Sequence, residues 1–432
     1  MKTLKLIVRH FAKVAKADID LNGVTVIVGE NNSGKSTIGK ALYSLCSVFG
    51  NLDERVRESR LESLNDAWSK FYNFLPIHSA QKLKERLLVE DFDENRFIKA
   101  IEKETPFFRD IVSSSKIEGV IRQKVKHLLG EVRRLRKITD MQYKEAVVWD
   151  YFDKVFHSQL LPLFTQRAGS SLEIVNSDCI KVLFDSTTAS LEKYSSLSFH
   201  ACYINGPSIV NLLNGTSGLD ALEIYDREIV EELRRLQALS TDRVGVVAAR
   251  KVANRLKLKK LLSLFDHIIP GGVGKKGKGK FGVTVHGCSE PISFENLSSG
   301  MKSFVLLWQV LDQGLLSDGD VLILDEPEVH LHPEWQIIYA ELIVLLCRTF
   351  NLRVLLTSHS VDFVHALRLF VKKYRLNDRL RLYKSLIEAN GAASLIAVPD
   401  NDWNQLFDSF VPAINILEKI RASLSEDDGD GK

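Results

Sequence analysis

The spacing of hydrophobic positions changes character along the chain. Residues 4–8 (LKLIV) and 24–28 (VTVIV) are short apolar runs rich in β-branched side chains, which predicts two strands. The second run meets a glycine at once, and residues 35–49 then carry helical spacing. Strand, glycine loop and helix open an α/β unit. Across residues 51–195 the texture is different: apolar positions recur every three to four residues among many charges, as in RLESLNDAWSKFYNFL and IRQKVKHLLGEVRRLRKI. This predicts a mainly helical insertion over residues 51–199. Residues 200–205 (HACYIN) read as a buried strand that turns at Gly206-Pro207. A helix is expected over 220–239, a strand meander over 265–294, a helix over 300–314, a strand over 321–324, a helix over 333–350, a strand over 353–357 and a helix from about Ser360. The alternation predicts an α/β fold with a mixed, largely parallel sheet. Its two halves, residues 1–50 and 200–422, are separated by the insertion. Residues 423–432, with Glu426, Asp427, Asp428 and Asp430, read as a disordered acidic tail. No internal repeat is visible.

Composition narrows the class. Of 432 residues 45% are hydrophobic and 26% charged, which fits a large buried core with more than one lobe. A net charge of +3 says little about partners. Five scattered cysteines without a CxxC pair argue for a reducing compartment and against a disulfide framework or zinc site. No stretch reaches the roughly 18 consecutive apolar residues of a membrane helix, and the charged N-terminus is unlike a signal peptide. A cytoplasmic protein with no membrane domain on the same chain is expected; a separate membrane partner is not excluded. The basic run Arg122, Lys124, Lys126, Arg133, Arg134, Arg136 and Lys137 fits a solvated helix face first. Contact with nucleic acid or an acidic partner is the sharper alternative. The lysines of GGVGKKGKGKFG, residues 271–282, fit a hairpin with a basic tip.

Four short stretches carry chemistry. GENNSGKST, residues 29–37, fits G-x-x-x-x-G-K-[ST] between a strand and a helix. Gly29, Asn31, Asn32, Ser33 and Gly34 would wrap backbone N–H groups around phosphate oxygens, with Thr37 close behind. Lys35 would reach the β- and γ-phosphates, and Ser36 would hold Mg²⁺. VLILDEPE, residues 321–328, puts Asp325 and Glu326 at the C-terminal end of a buried strand, the edge where ligands gather in parallel sheets. Asp325 would complete the metal shell and Glu326 would polarise an attacking water. ENLSSGMKS, residues 295–303, offers Ser298, Ser299 and Gly300 at a helix start, an anion site or a plain N-cap. LLTSHS, residues 355–360, ends a further strand at His359.

In this order and spacing the motifs resemble the ATP-binding-cassette superfamily. More narrowly, they are similar to the AAA_15/AAA_21 group (OLD/RecF/SMC-like), with Leu297–Met301 as a variant of the LSGGQ signature. Ser299 stands for its first glycine and Met301 for its glutamine. The resemblance implies a composite site in which Ser298 and Gly300 of one copy cap the nucleotide held by another copy's lysine loop. His359 would touch the γ-phosphate and the attacking water. HLHPEWQ, residues 330–336, would face the opposing subunit; His330 and His332 lack a third ligand for zinc. Phe11 and Lys13 lie where the family places residues against adenine. The family's loop glutamine is not identifiable; Gln166 remains by elimination, or the turn Asn205-Gly206-Pro207 replaces it.

GENNSGKST, LSSGM and LDEPEVHLHPEWQ together look like the stand-alone ATPases of bacterial anti-phage defence systems (PtuA-like, AriA-like, retron-associated). Residues 371–432 are too few for the nuclease domain that follows the ATPase in the overcoming-lysogenization-defect enzymes. The resemblance thus implies an ATPase using ATP and Mg²⁺ as a homodimer or higher homo-oligomer. It would act as sensor or scaffold for a separate effector, a nuclease or toxin. Two alternatives stay open: a RecF-type DNA-repair ATPase and a non-hydrolysing scaffold with structural ATP.

Overall fold

The computed structural model describes residues 4–73, 118–164, 169–215, 218–239, 246–259, 261–269, 272–276, 280–285, 287–288 and 290–410. The chain divides into two compact units, Asn51–Asp150 and the remainder, Met1–Gly50 with Tyr151–Lys432.

The larger unit is built on an eleven-stranded sheet. Its strands are β1 (Leu4–Phe11), β2 (Val14–Leu21), β3 (Val24–Val28), β4 (Ser170–Val175), β5 (Cys179–Phe184), β6 (Ala189–Lys193), β7 (Ala201–Ile204), β11 (Val321–Asp325), β12 (Arg353–Ser358), β13 (Leu380–Ile387) and β14 (Ala393–Val398). Their spatial order is β6-β5-β4-β1-β2-β14-β13-β3-β12-β11-β7. From β13 to β7 the neighbours run parallel. β3 and β11 are buried at every position, and so is β12. Covered parallel strands need apolar residues on both faces, which explains VLIL as an unbroken run and VTVIV as one interrupted only by Thr25, whose hydroxyl donates to the Asp20 carbonyl. Helix α1 (Lys35–Gly50) lies against β7, β11 and β12. Val24, Val26, Val28, Leu322, Leu324, Val354 and Leu356 share one core cluster with residues of α8 (Ser299–Asp312), α9 (Pro333–Thr349) and α10 (Val361–Lys373).

β1, β2, β4, β5 and β6 form the antiparallel wing. Residues 170–193 were expected inside the helical insertion, yet they are three strands extending β1. SSLEIV and CIKVLF alternate buried with half-buried positions, a period of two that the neighbouring helical texture masks. β2 and the β13–β14 hairpin were likewise not anticipated. The hairpin enters the middle of the sheet, with β13 beside β3 and β14 beside β2.

The same unit holds α5 (Ile224–Leu239), α6 (Val246–Leu258), α7 (Leu262–Ile268) and a three-stranded antiparallel sheet of β8 (Val273–Lys276), β9 (Lys280–Val283) and β10 (Ile292–Ser293). The expected meander from residue 265 therefore begins as a helix. Its basic tip, with Lys278, lies outside the described residues, as do Gln166 and the acidic tail.

In the smaller unit, α2 (Leu52–Tyr72) packs on α3 (Glu118–Lys137), and α4 (Asp140–Phe156) starts. Lys144 bridges Asp53 and Asp140, each at 2.9 Å. Among the described residues no helix is long and apolar enough to cross a membrane.

Candidate active site

Three loops meet because three strands end together. β3, β12 and β11 are consecutive parallel neighbours, so the loops after Val28, Ser358 and Asp325 emerge at one edge.

The loop after β3 is tight. Asn32 and Gly34 take positive φ, +60° and +82°. A Cβ at Gly29 would lie 2.8 Å from Ser33 Oγ and 3.0 Å from Ser385 Cβ. Ser385 of β13 also donates its hydroxyl to the Ser33 carbonyl at 2.5 Å, backing the loop from a strand the sequence did not reveal. Asn31 and Asn32 are exposed, while Ser33, Gly34 and Lys35 are buried. The Lys35 ammonium donates to the carbonyls of Gly29 (2.9 Å) and Glu30 (2.8 Å) and stands 3.3 Å from Glu326 Oε1. Ser36 and Thr37 open α1, whose N-terminal end adds positive potential where phosphate would lie.

Asp325 ends β11 with its carboxylate buried and oriented on both sides. Tyr203 donates its hydroxyl to Oδ2 at 2.8 Å, and Thr357 donates to Oδ1. Both partners come from sheet register: Asp325 faces Thr357, and Ile323 faces Tyr203. Burial, then the adjacent Asp325 carboxylate, pushes the Tyr203 phenol well above its ordinary pKa, so it stays a donor. Glu326 follows with φ +47°, a left-handed conformation that a glutamate adopts only when held. Thr357 holds it, accepting the Glu326 N–H on its hydroxyl (3.0 Å) and carbonyl (3.2 Å). The turn projects the carboxylate between Lys35 and His359, with Oε2 3.5 Å from His359 Nδ1.

A cleft of about 260 Å³ lies alongside, lined by Ser36, Asp325, Glu326, His330 and the turn Asn205-Gly206-Pro207, among others. The turn after β7 thus lines the cleft beside Asp325 and Glu326. Ser36 and Asp325 on one cleft wall suit Mg²⁺, which takes one or two protein oxygens and leaves the rest to phosphate and water.

Other residues lie elsewhere. Ser298 caps α8 by accepting the Met301 N–H at 3.3 Å; it and Ser299 are exposed and do not line this cleft. Gly300 is needed for packing, since a Cβ there would lie 3.0 Å from the His330 carbonyl and 3.1 Å from the Trp335 ring. Phe11 is fully buried among Phe152, Phe156 and Phe184, so it presents no face to adenine. Lys13 is half-buried, and its carbonyl accepts the Ala393 N–H.

Residues 153–364 match the model of a family described as "AAA domain, putative AbiEii toxin, Type IV TA system". That stretch of the chain is therefore similar to this AAA domain family. The matched stretch begins after the lysine loop and includes Ser298, Asp325, Glu326 and His359. Among solved structures, the chain is similar to an SMC head domain from Thermotoga maritima at 12% identity and a TM-score of 0.38, covering 92% of this chain and 100% of that one. It is also similar to an SMC head bound to the C-winged helix domain of ScpA, at 11% identity and a TM-score of 0.47 over 93% and 99% of the two chains. A third likeness is to an ATP-binding cassette of an ABC transporter in its ADP conformation, at 12% identity and a TM-score of 0.33 over 96% and 99%. Comparison with curated proteins gave no match.

Proposed function

We propose that the ATPase domain binds Mg-ATP on the lysine loop and hydrolyses it in a composite site formed by two copies of the chain. The observation that carries this reading is the line Lys35–Glu326–His359, at 3.3 and 3.5 Å, beside a cleft that includes Ser36 and Asp325. In it, Lys35 and the loop N–H groups bind phosphate, and Glu326 accepts a proton from water for in-line attack on the γ-phosphorus. His359 orients the same water, and the fixed turn at Glu326 spares the reaction that reorganisation. Mg²⁺, held by Ser36 and Asp325, would neutralise phosphate charge. Ser298 and the N-terminal end of α8, exposed in the single chain, supply the cap on a second copy's nucleotide. Loss of the γ-phosphate loosens the pair, so ATP acts as a timed clamp. The cellular role we propose is sensor or scaffold for a separate toxin or nuclease in anti-phage defence, supported by the motif resemblance and by the toxin–antitoxin description of the matching family.

Phosphate release and ATP affinity of the wild type and Glu326→Gln test the chemistry. Glu326→Gln should bind ATP, lose turnover by about 100-fold or more, and accumulate as an ATP-dependent dimer in sedimentation. A wild type that binds ATP without releasing phosphate would instead support the non-hydrolysing scaffold. Co-purification of the product of a neighbouring reading frame tests the effector.

A further inference from the structure

Glu328, three residues beyond Asp325, has no part in the mechanism above. It is nonetheless only 2% exposed, a costly place for a carboxylate. Its Oε1 accepts the Ser358 hydroxyl at 2.6 Å and the His359 N–H at 3.1 Å, and stands 3.8 Å from His359 Nδ1. Its Oε2 is buried without a hydrogen bond. The Glu328 carbonyl accepts Gln336 Nε2 at 3.4 Å, and Gln336 Oε1 accepts the Ser360 hydroxyl at 3.2 Å. Two bridges therefore tie the loop after β11 to the hydroxyls of Ser358 and Ser360 on either side of His359, and the first also to the His359 N–H. Burial raises the Glu328 pKa, an effect the Ser358 hydrogen bond opposes.

We infer that Glu328 is a positioning residue for hydrolysis: by gripping Ser358 and the His359 N–H, it fixes the imidazole beside Glu326. A loop that needed only closing would be served by a neutral acceptor at lower desolvation cost. A carboxylate gathers two donors on one oxygen and holds them harder. The loop after β12 thereby moves with the Asp325–Glu328 turn, and His359 cannot drift from Glu326 without breaking both bonds. The inference rests on the roles given to Glu326 and His359 under the proposed function.

The test is a double-mutant cycle on full-length chain, reading turnover at saturating Mg-ATP, KM and melting temperature. Glu328→Ala should lower kcat roughly 10- to 100-fold, the cost of misplacing a positioned group by about an ångström, with KM within about twofold. Glu328→Gln, which keeps an acceptor oxygen for both donors but loses the charge that holds them, should recover only part of that loss. In a His359→Ala background, Glu328→Ala should cost no more than about twofold further, because effects on one unit are not additive. Ser358→Ala removes one donor without disturbing the carboxylate, and should show a smaller fall of the same kind even if Glu328→Ala folds poorly. Full additivity of Glu328→Ala with His359→Ala, or a raised KM at unchanged kcat, overturns the inference while leaving His359 in its role. Wild-type turnover by His359→Ala overturns the reading of His359 and the clamp together.

Discussion

Tyr203→Phe removes one oxygen from the core and tests how Asp325 is held. The ring stays packed, 4.8 Å from Tyr225 and 6.0 Å from Tyr43 between centroids, so no cavity of consequence opens. What is lost is the 2.8 Å hydrogen bond to Asp325 Oδ2. A hydrogen bond to a carboxylate contributes about 1.5–3 kcal/mol. At about 2 °C per kcal/mol for a large domain, the melting temperature should fall by roughly 3–6 °C. Asp325 would keep Thr357 on Oδ1 but gain rotational freedom at Oδ2. If Asp325 holds the metal, the Mg²⁺ concentration for half-maximal turnover should rise about 10- to 100-fold, as when a group orienting a metal ligand is lost. Saturating Mg²⁺ should restore most of kcat. Thr357→Val should act more severely, since Thr357 also holds the Glu326 N–H. Thermal denaturation and Mg²⁺ titration of turnover decide the matter. An unchanged melting temperature and Mg²⁺ dependence would falsify the claim that Tyr203 orients Asp325. A lower melting temperature with unchanged Mg²⁺ dependence would confine Tyr203 to folding.

Asp226 has its carboxyl raised to about 6, by burial first and Glu223 second, against the lowering effect of Lys40. Its folded value exceeds the unfolded one, so the native state binds more protons between pH 4 and 6, and stability falls as pH rises through that window. Asp226→Asn should therefore raise the melting temperature at pH 7.5 and change it little near pH 3.5; the reverse pattern would contradict the assignment. Phe11→Ala should destabilise by about 3–5 kcal/mol in denaturant titration while leaving ATP affinity of the folded protein intact. A selective loss of ATP affinity would restore Phe11 as an adenine contact. Gly300→Leu should destabilise the contact with His330 and Trp335 and weaken ATP-dependent dimerisation, read by sedimentation.

The motifs were legible because each is contiguous and sits at the end of an apolar run: Lys35 after VTVIV, Asp325 after VLIL, His359 after RVLLTS. The residues that aim them were not. Tyr203, Thr357 and Ser385 reach the site through strand register across long sequence separations, and no local pattern names a partner in a parallel sheet. Glu328 was visible as a letter in LDEPE, but its role depends on burial and on which backbone it meets. β4 and β5 carried a readable alternation, SLEIV and IKVLF, yet charged half-buried positions between apolar ones also suit a helix face over so few residues. Phe11 was placed by family position, whereas its neighbours Phe152, Phe156 and Phe184 come from distant segments that fold over it.

The hairpin of residues 380–398 occupies the gap between β2 and β3, with Leu380 opposite Val24. During synthesis the β3 strand leaves the ribosome long before the segment that must lie beside it. Until then β2 and β3 each show a bare edge, exposed to pairing with another chain. Closure across such a span is intrinsically slow. A competent lysine loop, braced by Ser385, thus arises only late in biogenesis, and a nascent fragment would present the nucleotide motif without the brace that shapes it.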